Sequence, residues 1–307
     1  GRIFSEYRIR DAISGGDAEA AIGLKNLWTL APGLRLGTSV ERVHALSGKG
    51  QNENTAGALA LEYTANPLWK GSTRLEIRDA STTESLLFTV GLAAKLNRDW
   101  TALARNAYSL QRAKESGAER VVERMQAGLA WRDTDTNRWN ALGRIEHRLE
   151  SDDTQDGLQL KSTTTLVSLH ADWQPSRPFL VSGRYAAKWT TDKSNGLSSK
   201  YRAQVIGARA TWEFAPRWDF GLVTSLLVGE NLDSRHYGVG VELGYLVATN
   251  LWVSAGYNFF GYRDADLAGA DYTARGPFVR LRYKFDESLL ESVGAVRPGN
   301  KVAEASR

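Results

Sequence analysis

The side chains best placed to do chemistry in this chain are its arginines, because so many occupy alternate positions of extended segments. Arg74, Arg78, Arg105, Arg124, Arg144, Arg148, Arg184, Lys188, Arg209, Arg280 and Arg282 fall on the polar phase of an apolar/polar alternation, with Arg35, Lys95, Arg132 and Lys284 in the same phase. Acidic residues in that phase are fewer: Glu41, Glu62, Glu76, Glu146, Glu213 and Glu242. Alternate side chains of a strand share a face, so these residues make a wet wall biased toward guanidinium. Such a wall favours anions or polyanions, since rings of fixed charge set selectivity at close quarters. The competing reading is that arginine and glutamate pair across neighbouring strands and satisfy the wall with no solute at all.

Other chemistries lack their residues. His44, His147, His170 and His236 are scattered without metal-ligand spacing, and zero cysteines exclude disulfides and thiolate sites. Gly238-x-Gly240-x-x-x-Gly244 lies inside a strand pattern instead of ending one, so it is not a dinucleotide loop. The acidic segments Asp152-Asp153…Asp156 and Asp264-x-Asp266…Asp271 read as solvated loops that fail the EF-hand pattern. The charge balance, 39 Lys+Arg against 35 Asp+Glu, is mild and without a basic run, which argues against nucleic acid. The expectation is a protein with no catalytic residues, no metal and no cofactor.

The elements that must position the arginines are long strands. Short turn clusters recur at Ala31-Pro32-Gly33, Asn66-Pro67, Asn97-Arg98-Asp99, Thr134 to Asn137, Gln174 to Pro178, Ala215-Pro216-Arg217 and Ala248-Thr249-Asn250. A large aromatic follows most of them, at intervals of roughly 30–40 residues. Between them lie longer polar connections: Asp11 to Asp17, Ser47 to Asn54, Asp79 to Glu84, Lys114 to Gly117, Ser151 to Gly157, Thr191 to Ser198, Glu230 to Ser234 and Arg263 to Asp271. The alternation gives about 16 strands of roughly 10–14 residues, which at a tilt near 40° rise about 25–35 Å. Propeller blades need shorter strands. That height matches the apolar band of a transmembrane barrel, and negative hydropathy does not oppose it, because half of every such strand faces water. No apolar run reaches the roughly 18 residues of a membrane helix.

Tryptophan supplies a second argument. Trp28, Trp69, Trp100, Trp139, Trp173, Trp218 and Trp252 cluster by the tight turns, as an interfacial girdle would. Tyr7, Tyr108, Tyr185, Tyr201, Tyr237 and Tyr262 fall nearer the other end, as a second girdle would.

The last strong strand, Pro277 to Phe285 (P-F-V-R-L-R-Y-K-F), ends in Tyr283-x-Phe285. That ending resembles the terminal strand of bacterial outer-membrane β-barrel proteins, whose aromatic-x-Phe close is the signal read by the insertion machinery. The segment from Gly256 through Phe285 also looks like the last hairpin of barrels that close large bacterial surface proteins. The resemblance implies an all-β, closed antiparallel transmembrane barrel of about 16 strands over residues 1–286, with a periplasmic tail over 287–307. It implies a place in the bacterial outer membrane, with lipid, lipopolysaccharide, the insertion machinery and a periplasmic or surface protein as partners. The implied role is membrane anchor or export and display conduit for a larger surface protein; the alternative is a free-standing, anion-preferring porin. The opening residues lack signal-peptide features, so the chain is expected to be mature or one domain of something longer.

Overall fold

The computed structural model describes residues 2–9, 18–47, 53–155, 158–229, 234–248, 251–261 and 275–283. They form strands β1 (Arg2–Ile9), β2 (Ala18–Ala31), β3 (Leu34–Ser47), β4 (Asn54–Tyr63), β5 (Trp69–Ala80), β6 (Thr83–Lys95), β7 (Trp100–Ala113) and β8 (Glu119–Arg132). The second half is β9 (Trp139–Gln155), β10 (Leu158–Ser176), β11 (Phe179–Ser194), β12 (Leu197–Ala215), β13 (Trp218–Gly229), β14 (Ser234–Ala248), β15 (Leu251–Phe260) and β16 (Gly276–Tyr283). Each strand pairs antiparallel with the next in one sheet, in sequence order and without crossover. No ladder between β1 and β16 is present among the described residues. Among them, no helix is long and apolar enough to cross a membrane.

Several connections are shorter than their composition implies. Asp79 pairs with Glu84, so β5 and β6 are joined by Ser81 and Thr82 alone. β9 runs to Gln155 and β10 resumes at Leu158, which puts Asp152 and Asp153 inside a strand instead of a loop. β11 and β12 meet at Asn195-Gly196, where both residues have positive φ, 47° and 82°. An Asn-Gly pair adopts that conformation readily and matches the strand twist of a two-residue hairpin. In each case the ladder continues because every further pair satisfies backbone donors and acceptors. The acidic segment at Asp264, residue Phe285 and the tail over 287–307 lie outside the described residues.

The sheet has two unlike faces. In β5, Trp69, Leu75 and Ile77 lie on one face, and Lys70, Ser72, Arg74, Glu76 and Arg78 on the other; the register with β6 sets Leu75 against Phe88 and Arg74 against Thr89. The same division holds around the sheet. Ile22, Leu24, Val40, Leu59, Ile145, Ile206, Phe220, Leu222, Leu243, Val279 and Leu281 stand exposed on the apolar face. Apart from Ala187, every buried residue described lies on the polar face, including Glu146 at 1% and Glu242 at 2% exposure. A water-soluble sheet does the reverse. Each exposed Leu, Ile or Phe forgoes about 1.5–3 kcal/mol of transfer free energy in water, and an apolar surface this continuous exceeds what soluble monomers expose. Lipid is the medium that suits it.

Aromatic residues mark the tight-turn end of the apolar face. Rings on neighbouring strands meet as Tyr63–Trp69 (4.5 Å between centroids), Trp100–Trp131 (6.3 Å), Trp139–Trp173 (5.3 Å) and Trp218–Tyr245 (4.7 Å). The turns below are tied together: Arg98 pairs with Asp135, and Asp99 accepts from the Thr134 hydroxyl. In the same cluster the Thr136 hydroxyl and backbone amides hold the Asp133 carboxyl below the usual carboxylate range.

A charge placed at mid-height on the apolar face distinguishes lipid from water as its surroundings. Leu75→Arg should lower unfolding stability in vesicles by about 2–4 kcal/mol, whereas Thr89→Lys, on the polar face of the adjoining strand, should change it by less than about 1 kcal/mol. Urea titration of the bilayer-inserted protein checks both.

Candidate functional site

The polar face is built from a repeated unit in which one glutamate lies between two arginines. Glu76 accepts from Arg74 Nη2 at 2.7 Å and Arg78 Nη2 at 3.1 Å. Glu146 accepts from Arg124 Nε at 2.6 Å, Gln126 Nε2 at 2.7 Å and Arg148 Nη2 at 2.9 Å. Glu242 is paired with Arg209 and, at 3.4 Å, with Arg280 Nη1. The first unit is made along one strand, at alternate positions. The second joins β8 to β9, and the third joins β12, β14 and β16. A buried carboxylate needs such neighbours, because leaving it unpaired costs several kcal/mol. With two cations to one anion, each unit keeps a net positive charge. Pairing and excess therefore coexist, and the two readings of the wall are not exclusive.

Glycines decide how high this layer stands. On β12 to β15 a polar-face glycine lies beneath a side chain of a neighbouring strand: Gly207 under Arg184, Gly221 under Glu242, Gly240 under Asn258, Gly244 under Asp219 and Gly256 under Phe278. A Cβ at Gly221 would come within 2.6 Å of Glu242 Cγ, and one at Gly244 within 2.4 Å of Asp219 Oδ1. The long side chains lie flat along the wall, which is why Asp219, Glu242 and Asn258 are buried.

The register puts the described basic residues expected at the site on this one face, and Lys284 lies outside the described residues. It also brings in Lys70, which shares the parity of Arg74 and is absent from the expected set. Among the described residues, no hydrogen bond or ion pair engages the side chains of Lys70, Arg105 or Arg144. Two aromatic assignments change. Trp252 pairs with Leu246 and Arg282, on the arginine face and out of the belt. Tyr201 lies on the same face, packed by the buried cluster of Leu166 and Val205 with Lys188 Nζ over its ring. Nearness to a turn sets a residue's height on a strand, but only the parity count from that turn sets its face. Trp28, Trp69, Trp100, Trp139, Trp173 and Trp218 keep to the apolar face.

Ser182, His170 and Asp172 do meet, but not in catalytic order. Asp172 Oδ1 accepts from Ser182 Oγ at 2.6 Å and lies 3.0 Å from His170 Nε2. The carboxylate is the hub, so the imidazole is not poised to take the serine proton. Asp152 is occupied by Arg120 at 3.6 Å and by Thr154. Among the described residues no group of His, Asp and Glu is arranged to hold a metal ion.

No protein-family model matches the chain, and no curated protein does. Solved structures are similar to it. The alcaligin outer-membrane receptor FauA of Bordetella pertussis superposes with a TM-score of 0.52 at 11% identity, over 93% of this chain and 65% of that one. The unliganded ferric citrate transporter FecA gives 0.50 at 10%, over 94% and 56%. An anion-selective porin from Comamonas acidovorans gives 0.49 at 12%, over 92% and 97%. The chain spans less than two thirds of the length of FauA and FecA. At these identities the likeness is one of fold, that of bacterial outer-membrane β-barrels. An exposed apolar face closed by aromatic pairs is what that membrane requires.

Removing the central carboxylate of one unit leaves two guanidiniums facing each other. Glu146→Ala should lower stability by about 1–3 kcal/mol, and Arg148→Ala added to it should recover part of the loss. A double-mutant cycle on urea unfolding in lipid measures the coupling.

Proposed function

We propose that this chain closes into a sixteen-stranded barrel in the outer membrane, with the arginine face inside, and conducts small anions. The observation carrying the proposal is the repeated pairing of two arginines with one glutamate, together with Lys70, Arg105 and Arg144, which no carboxylate among the described residues pairs with. A barrel of this strand number encloses an aqueous interior unless something fills it. Net positive charge on its walls raises the local concentration of anions and lowers that of cations. Lipid and lipopolysaccharide then surround the apolar face, and the insertion machinery is the partner that the terminal strand sequence addresses.

A second reading has the barrel serve as anchor or export conduit for a larger surface protein. It is favoured by the sequence of the last hairpin, Gly256 through Phe285, and requires no solute.

Planar-bilayer recording separates them. Under a potassium chloride gradient the isolated barrel should reverse toward the chloride equilibrium potential, and Arg105→Glu with Arg144→Glu should move the reversal toward that of potassium. A preference for potassium in the unaltered protein contradicts the anion channel, and a silent barrel favours the anchor.

A further inference from the structure

Where β12 to β15 cover their glycines, β5 to β9 do not. Gly91 and Gly128 are on the polar face, yet no long side chain lies over them: the nearest atoms to an added Cβ are Ser72 Oγ at 3.5 Å and a backbone oxygen at 3.4 Å. The result is a recess of about 490 Å³ in the wall, within the roughly 300–1,000 Å³ of small-ligand sites. The register gives its plan. Lys70 pairs with Ala93, Ala93 with Leu103, Leu103 with Gly128, and Gly128 with Arg144. Arg105 stands two residues from Leu103 on β7, and Leu142 two residues from Arg144 on β9. The three cations sit on alternate strands, about 10 Å apart at the backbone.

Two features of this recess are at odds with a wall that only repels cations. Its three cations are unpaired, as described above, while most other arginines of the face are held by glutamate. Leu103 and Leu142 are 45% and 44% exposed on the arginine face, and both line the recess. Exposing leucine to a water-filled interior costs free energy, and an inorganic anion would leave that cost in place. A sugar acid would have to bury hydroxyls against the leucines without partners.

We propose that this recess is a binding subsite for organic carboxylates with an apolar, ring-sized body. The carboxylate is held by Arg105, Arg144 or Lys70, and the body lies on Leu103 and Leu142 over the uncovered glycines. Guanidinium binds a carboxylate through two parallel hydrogen bonds, and the leucines reward only a ligand with apolar surface to bury. The subsite deepens the anion-channel reading and rests on it for its role in transport.

The test is titration calorimetry of the full chain in detergent, with benzoate as the probe and gluconate as its polar counterpart. Benzoate should bind at least about tenfold more tightly than gluconate. Leu103→Asn with Leu142→Asn should remove most of that difference. Gly91→Leu, which fills the recess where no backbone atom opposes it, should weaken benzoate by a similar factor; heat-modifiable migration in gel electrophoresis confirms that each variant is folded. Equal affinity for the two acids, or benzoate binding indifferent to both variants, overturns the subsite. Reversal potentials on the same preparation are read independently. Chloride preference without selective benzoate binding removes the subsite alone, and benzoate binding that responds to the variants in a barrel without chloride preference removes the channel alone.

Discussion

In a hydrocarbon layer no water is available to satisfy the main chain, so every N–H and C=O must find a protein partner. That constraint accounts for the plainness of this topology. Strand after strand pairs with its sequence neighbour, and no crossover interrupts the order. The hairpins at Ser81-Thr82 and Asn195-Gly196 keep pairing as far as two-residue turns allow. Because the ladders fix the backbone, side chains have only a period of two to work with, and each residue belongs to lipid or to the opposite face. The exposed apolar face and the buried glutamates are two consequences of the same rule.

The opposite face has its own economy. A wall carrying this many guanidiniums would repel itself, and Glu76, Glu146 and Glu242 each relieve two of them. Glycine then lets the paired side chains lie down on β12 to β15, which thins the layer there. On β5 to β9 Gly91 and Gly128 stay open, Lys70, Arg105 and Arg144 stay unpaired beside the Glu76 and Glu146 units, and two leucines face the same space. The wall thus has a compact part, where side chains cover glycine, and a recessed part, where glycine is bare and three of the described cations lack side-chain partners.

Much of this was legible in the residues. Strict alternation in Phe179 to Trp189, Trp218 to Val228 and Tyr237 to Val247 identifies strands and assigns their faces, and parity alone gathers Arg74, Arg105, Arg184 and Arg280 together. What parity could not supply is partnership. Arg124 meets Glu146 only through the β8–β9 register, and Arg280 meets Glu242 across β15. Nearness to a turn says nothing of face for Trp252, because the count from Val247 through the turn puts Val253, not Trp252, outward. The polar composition of Thr191 to Ser198 suggests a longer connection than the Asn195-Gly196 hairpin that forms within it. Leu103 and Leu142 break the polar phase of their strands, and such breaks were the available sign of the recess.

The central claim is that odd and even positions of one strand live in different solvents, and the absence of cysteine makes it directly measurable. Single cysteines placed one at a time from position 70 to 78 on β5, spin-labelled and studied in bilayers, report collision with oxygen, which partitions into lipid, and with a water-soluble nickel chelate. The account predicts oxygen access at 71, 73, 75 and 77, and nickel access at 70, 72, 74, 76 and 78. Uniform access along the strand, or the opposite phase, would contradict it.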